Sequence, residues 1–247
     1  MIAARGNGFK RKTRREIVER TVRAYQDWMA KFAEMTDLDV WYTHADVDAI
    51  AGFAPDLVVV ATGSRPRPFL QVLDGLDPKV SRLQARDVIA EPALVPNGAA
   101  VTIIGAGMVG IEVADILLAR DCRMTIVEIG PAVAPAMARN NRTDIMLRLK
   151  AGGVKVMVAA QTRGASGHEL LLHTQEGDIR IGAGDVVIEA IGPMPDRAVT
   201  PMLDQAGVDY VLVGDCSEPG GDFMTAIRDG FMAAWSLQTR FGHAKTR

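Results

Sequence analysis

The chain has 247 residues, 48% hydrophobic and 23% charged, with a formal charge of −2, so it has length for one large globular domain or two small ones. This composition excludes collagen-like, disulfide-scaffold and strongly disordered classes, and no run of about 18 apolar residues is present to cross a membrane as a helix. The basic opening MIAARGNGFKRKTRREI has no apolar signal-peptide core behind it, so a cytoplasmic protein is expected.

Residues 1–31 carry nine basic and three acidic side chains, a local balance of +6 that leaves −8 for the rest of the chain. Such a stretch is either a solvated helix face or a patch for nucleic acid or another partner. No binding motif or interleaved aromatics accompany it, so nucleic acid is not the expected partner. A helix is predicted from Thr13 to Met35, because Val18, Val22, Tyr25, Met29 and Phe32 recur at helical period. Thr13 and Glu16 have the spacing of a capping box. A short strand is predicted at Leu38–Tyr42, followed by a charged connection. The β-branched run from Asp56 to Gly63 then reads as a strand covered on both faces. From Arg65 to about Gly98 the sequence is Pro-rich and predicts an irregular crossing between domains.

A βαβ unit follows. Val101–Ile104 predicts a strand, Gly105-Ala106-Gly107-Met108-Val109-Gly110 a turn, Ile111–Arg120 a helix and Met124–Glu128 a second strand. A helix over 142–152, a strand at Val154–Val158 and a hairpin from Glu169–Thr174 and Asp178–Ile181 come next. Asp185–Ile191 predicts a buried strand, residues 198–206 a short helix and Tyr210–Val213 a strand. The tail predicts a helix over Phe223–Phe241, with Ile227, Phe231, Ala234 and Leu237 on one side. Strands alternating with helices indicate an α/β, parallel, doubly wound architecture.

The chemistry-bearing motif is Gly105-x-Gly107-x-x-Gly110, which follows a strand and opens a helix. Gly105 allows the tight turn, Gly107 lets a pyrophosphate approach the backbone, and Gly110 lets helix and strand pack closely. Ala106, Met108 and Val109 complete the loop, and the anion would sit at the helix N-terminus. Glu128 lies 23 positions beyond Gly105, at the end of the next strand, where a carboxylate accepts hydrogen bonds from adenosine ribose hydroxyls. A carboxylate there repels a 2′-phosphate, which favours NAD(H) over NADP(H), although Arg139 and Arg142 lie near in sequence. Gly182-Ala183-Gly184 precedes a strand and reads as a turn.

Three more segments end apolar strands in glycine: Ala61-Thr62-Gly63, Ala190-Ile191-Gly192, and Val213-Gly214 followed by Asp215. Open α/β sheets bind ligands at such carboxyl ends, but each segment alone is equally a plain turn. Their order around the GxGxxG unit resembles the pyridine nucleotide-disulfide oxidoreductase-like flavoproteins. In detail it is most similar to the C-terminal region of the trimethylamine dehydrogenase and 2,4-dienoyl-CoA reductase family. That similarity rests on the stretch from Ile103-Ile104-Gly105 to Val127-Glu128, and on Val213–Cys216 followed by Thr225–Gly230.

The resemblance implies a Rossmann-like NAD(P)-binding domain, residues 96–204, inserted in an incomplete FAD-binding domain formed by 1–95 and 205–247. It implies that Ala61, Thr62 and Gly63 line a flavin crevice, that Gly192 lies beside it, and that Gly214 and Asp215 face the ribitol or pyrophosphate of FAD. Glu112 either faces a nicotinamide or is an acid favoured by the helix dipole. The family's first FAD-binding GxGxxG unit, its FMN barrel with iron–sulfur cysteines and the reductases' redox cysteine pair have no counterpart here. Cys122 and Cys216 are far apart and form no zinc or iron–sulfur spacing.

The expectation is therefore an oxidoreductase component that binds NAD(H), contributes to an FAD site and passes electrons to a partner redox centre. Another polypeptide, or an N-terminal region, would complete the flavin sheet and supply the substrate site. The alternative is a non-catalytic ADP-binding or assembly module. No side chain stands out as a catalytic acid or base, no metal set is visible, and His44, His168, His173 and His243 read as surface or hairpin-packing residues.

Overall fold

The computed structural model describes residues 14–36 and 39–241. The chain divides into two compact units, one extending to Phe53 and one from Ala54 onward. In the first unit, α1 (Arg14–Glu34) follows the predicted helical period, while Thr13 of the predicted capping box lies outside the described residues. Tyr25, Trp28 and Phe32 line up along α1, with ring centroids 5.9 and 5.4 Å apart in successive stacked pairs. The short α2 (Val47–Phe53) starts where the Asp46 carboxylate accepts the Ala49 N–H at 2.8 Å, an N-cap bond.

The strand expected at Leu38–Tyr42 does not form over residues 39–42, and Leu38 lies outside the described residues. Val40, Trp41 and Tyr42 are exposed. Strand propensity alone cannot satisfy a backbone without a neighbouring strand.

The second unit opens with β1 (Val58–Val60) and β2 (Ser64–Pro66). The stretch expected to be irregular contains β3 (Ser81–Gln84) and α3 (Ala85–Ala90). The βαβ unit follows as β4 (Ala100–Ile104), α4 (Met108–Leu118) and β5 (Arg123–Val127). After α5 (Arg139–Ala151) and β6 (Lys155–Met157), β7 (Gln161–Ser166) joins the expected hairpin of β8 (Glu169–Thr174) and β9 (Gly177–Gly182). The remaining elements are β10 (Val186–Glu189), β11 (Pro193–Pro195), α6 (Thr200–Ala206), β12 (Tyr210–Leu212) and α7 (Phe223–Phe241).

The main sheet is parallel, in the order β3-β10-β4-β5-β6. Side chains alternate across its strands, so each apolar run supplies two faces. Val101 and Ile103, Met124 and Ile126, and Val186 and Ile188 pack with Val88, Val113, Leu117, Ile145 and Leu149 of the helices. On the opposite face Ile104, Val127 and Val187 meet Leu73, Leu170 and Leu172. Ile103, Ile126, Ile188 and Leu117 are fully buried, and each such side chain contributes about 1.5–3 kcal/mol through loss of apolar surface to water.

Two small pairings complete the unit. Strand β1 runs parallel to β12, with Val59 opposite Val211. Strand β2 runs antiparallel to β11, with Arg65 opposite Met194. The apolar side chains of α7 do not form a buried stripe: Ile227, Phe231 and Trp235 are exposed, and Phe231 stacks on Trp235 with centroids 6.2 Å apart. Among the described residues, no helix is long and apolar enough to cross a membrane.

Candidate functional site

The glycine turn sits at the carboxyl end of β4, and its three glycines meet different surroundings. Gly105 has φ +104°, and a Cβ there would lie 2.4 Å from the Ala190 carbonyl oxygen. A Cβ on Gly110 would lie 2.0 Å from the Gly105 carbonyl oxygen. A Cβ on Gly107 would meet nothing within 4 Å. Two glycines are therefore required by the fold itself, and the third faces open space. Gly107 caps α4, whose first ladder bond runs from the Ile111 N–H to the Gly107 carbonyl at 3.2 Å. The amides of Met108, Val109 and Gly110 precede that ladder and lie in the first turn, which favours an anion.

Glu128 follows β5 directly and is half-buried. Its Oε2 accepts the Ala106 N–H at 2.6 Å and its Oε1 accepts the Gly130 N–H at 2.6 Å. The carboxylate thus ties the glycine turn to the loop after β5, and each oxygen keeps a lone pair for a hydroxyl donor. The loop is further fixed by the Ala134 N–H donating to the Ala106 carbonyl at 2.8 Å. An open Gly107 side, first-turn amides and a held carboxylate fit the pyrophosphate and ribose of a dinucleotide. Glu112 is half-buried in α4, but the helix begins at Met108, earlier than expected, so Glu112 lies past the first turn, which holds no acidic side chain.

The other predicted segments converge on one another. Ser64, which follows Ala61-Thr62-Gly63, donates its hydroxyl to Asp215 Oδ2 at 2.9 Å, and the Gly221 N–H donates to Asp215 Oδ1 at 3.1 Å. The Thr62 hydroxyl donates to the Asp196 carbonyl at 2.5 Å, and the Asp196 N–H donates to the Gly63 carbonyl at 3.0 Å. Gly63, Gly192 and Gly214 all have positive φ, at +75°, +81° and +63°. Segments 61–64, 192–196 and 214–215 therefore form one junction, knitted together by the β2–β11 ribbon. Its backbone openness and the Asp215 carboxylate fit a hydroxyl-bearing cofactor chain.

Sequence reasoning misses Glu189, the most deeply buried charged side chain among the described residues. Glu189 ends β10, is 1% exposed, and accepts the Leu70 N–H at 2.7 Å. Arg82 of β3 donates to Glu189 from Nη2 at 2.9 Å and from Nε at 3.3 Å. Arg82 also donates to Asp74 and to the Leu70 carbonyl, both at 2.9 Å, and lies over the Phe69 ring. Burial pulls the Arg82 guanidinium down, but its hydrogen bonds to Glu189 and Asp74 outweigh that and hold it above the usual range. The only available sequence signal was a Glu closing an otherwise apolar strand.

Among the histidines, His173 meets Asp178 at 2.6 Å and His168 meets Asp77 at 3.6 Å, both at the surface. His44 is exposed, and His243 lies outside the described residues. Cys122 and Cys216 are free and buried. Among the described residues, no group of side chains could hold a metal ion.

A five-stranded parallel sheet with a glycine turn at the end of one strand and an acidic residue at the end of the next defines a mixed α/β, Rossmann-like nucleotide-binding fold. The chain belongs to the pyridine nucleotide-disulphide oxidoreductase family, whose model matches residues 12–212. It is 28% identical to an NADH oxidase of Thermoanaerobacter brockii over 224 residues, 87% of this chain and 33% of the relative. It is 25% identical to a bilirubin reductase of Mediterraneibacter gnavus over 190 residues, 77% of this chain and 29% of the relative. The chain thus spans about a third of the length of these curated relatives.

Among solved structures, a 2-naphthoyl-CoA reductase superposes with TM-score 0.60 and 24% identity, covering 76% of this chain and 28% of that one. Histamine dehydrogenase from Rhizobium sp. 4-9 superposes with TM-score 0.63 and 16% identity, covering 79% of this chain and 32% of that one. These likenesses establish the fold.

Proposed function

We propose that this chain is the dinucleotide-handling part of a flavoprotein oxidoreductase of the trimethylamine dehydrogenase and 2,4-dienoyl-CoA reductase type. It binds NAD(H) at Gly105–Gly110 with Glu128 on the ribose, and contributes Ala61–Gly63, Gly192, Gly214 and Asp215 to an FAD site. Electrons leave for a redox centre on a partner or on a further region of the protein. The observation that carries this reading is the convergence of the second glycine set, through the Ser64–Asp215 bond, beside a sheet that bears the first.

The nicotinamide and the flavin supply the hydride chemistry when bound. The chain's own residues orient them. First-turn amides of α4 receive the pyrophosphate, Glu128 accepts ribose hydroxyls, and Asp215 accepts a hydroxyl of the flavin's side chain. Purified protein with a flavin absorbance band that bleaches on adding NADH is the expected result.

A second reading is a non-catalytic ADP-binding or assembly module. It is favoured by the contrast between the five-stranded sheet, covered on both faces, and the β1–β12 pairing, which has two strands. Colourless protein whose melting temperature rises with ADP and not with NADH would select this reading.

A further inference from the structure

Strands β10 and β3 carry a buried ion pair whose reach extends to both glycine-rich regions. The Glu189 carboxylate is sealed from solvent and Arg82 is only one-fifth exposed. Glu189 immediately precedes Ala190, and the Ala190 carbonyl oxygen lies 2.4 Å from where a Cβ of Gly105 would be. The Ala190 methyl also lies 3.3 Å from where a Cβ of Gly110 would be. On the other side, Glu189 receives the Leu70 N–H, and Arg82 grips the Leu70 carbonyl, Asp74 and the Phe69 ring. Gln84 adds a bond from Nε2 to the Arg67 carbonyl at 3.2 Å.

Followed along the backbone, these contacts close a ring. From Glu189 the chain passes through Ala190–Gly192 into β11, pairs with β2, and returns through Arg67–Phe69 to Leu70. Leu70 is bound by the carboxylate where the ring began. The ring borders a cavity of about 290 Å³ lined by Ser64, Gln84, Val109, Ala190, Ile191 and Gly192. One wall thus belongs to the glycine-turn sheet and the opposite wall to the segment leading from Gly63.

We infer that Arg82 and Glu189 are positioning residues, a latch that sets the width of this cavity and so the seat of the dinucleotide half beyond the pyrophosphate. The inference rests on the nucleotide reading above. A salt bridge of this kind contributes little net stability relative to an apolar pair, but it fixes one geometry when every partner is satisfied. Here the partners come from β10, β3 and the 69–74 segment, so loss of the carboxylate charge frees the wall and leaves the far side of the glycine turn intact. The latch does not contact the Glu128 end.

Two ligands that differ only in the distal half separate the roles: NADH, and ADP-ribose, which lacks the nicotinamide. In the unsubstituted protein NADH is expected to bind more tightly than ADP-ribose. Glu189→Gln is expected to weaken NADH binding by about tenfold, the size of one lost charge-assisted interaction, and to leave ADP-ribose binding within about twofold. Because Glu189→Gln leaves the largely buried Arg82 with Asp74 as its remaining carboxylate partner and can compromise folding, the double variant Arg82→Met/Glu189→Leu provides a second case. It should keep a cooperative melt and ADP-ribose binding while losing the NADH advantage. Equal weakening of both ligands, or no change in either, in a folded variant would overturn the latch. Failure of the unsubstituted protein to bind ADP-ribose would instead overturn the nucleotide reading on which the latch rests.

Discussion

The carboxylate of Glu128 holds the amide of Ala106 at 2.6 Å, so the residue that ends β5 also shapes the turn that follows β4. Its second oxygen holds Gly130 at the same distance. A residue expected only to meet a ligand is thus also part of the scaffold that shapes the glycine turn.

Glu128→Gly is expected to weaken NADH binding by at least about tenfold, since hydrogen bonds to charged groups are worth about 1.5–3 kcal/mol. It should also bring NADH and NADPH affinities together by removing the charge that repels a 2′-phosphate. Calorimetric titration of both nucleotides checks this, and an unchanged preference would assign the discrimination to another residue.

The glycines of the turn should separate into two kinds. Alanine at Gly105 or Gly110 places a methyl against backbone oxygen, at 2.4 or 2.0 Å, and should cost about 3 kcal/mol or more in denaturant unfolding. Alanine at Gly107 meets open space, so stability should hold while dinucleotide affinity falls.

Asp215 is engaged by Ser64 and Gly221. Asp215→Ala should reduce flavin retention, measured as the ratio of flavin to protein absorbance after gel filtration. Ser64→Ala should reduce it less, because it removes one donor and leaves the carboxylate. Equal flavin content in all three proteins would place the flavin site elsewhere.

The carboxylate of Asp222 accepts the Thr225 N–H at 2.8 Å and the Thr225 hydroxyl at 2.9 Å, just ahead of α7. These bonds hold its pKa below the ordinary aspartate value of 3.8. A carboxyl lowered on folding contributes stability that is present above its unfolded pKa and lost as pH falls through the folded value. Asp222→Ala should therefore lower α7 helicity at neutral pH, and the difference from the unsubstituted protein should vanish in acid below that window. Circular dichroism over a pH series measures it.

The glycine turn, α4 and β5 were legible because their signals are local: a β-branched run, three glycines and a helical period within 25 residues or so. Strands β2 and β11 were not, since Ser64–Pro66 and Pro193–Pro195 contain prolines that ordinarily argue against a strand. Strand β7 reads QTRGAS, without apolar alternation, and shifts register between Thr162 and Gly164. The opposite failure occurred at residues 39–42, where aromatic and β-branched side chains promised a strand that found no partner there. Glu189 was invisible for another reason. Its partner Arg82 is 107 positions away, and no local pattern distinguishes a buried acid that will be paired from one that ends a strand at the surface.

The measurement that bears most directly on the account is calorimetric titration of the purified chain with NADH and with NADPH under identical salt. The account predicts one NADH per chain, bound at least about tenfold more tightly than NADPH, and weakened by Gly107→Ala without loss of folding. Absence of binding by a folded chain, or affinities equal for the two nucleotides and unaffected at Gly107, would contradict it.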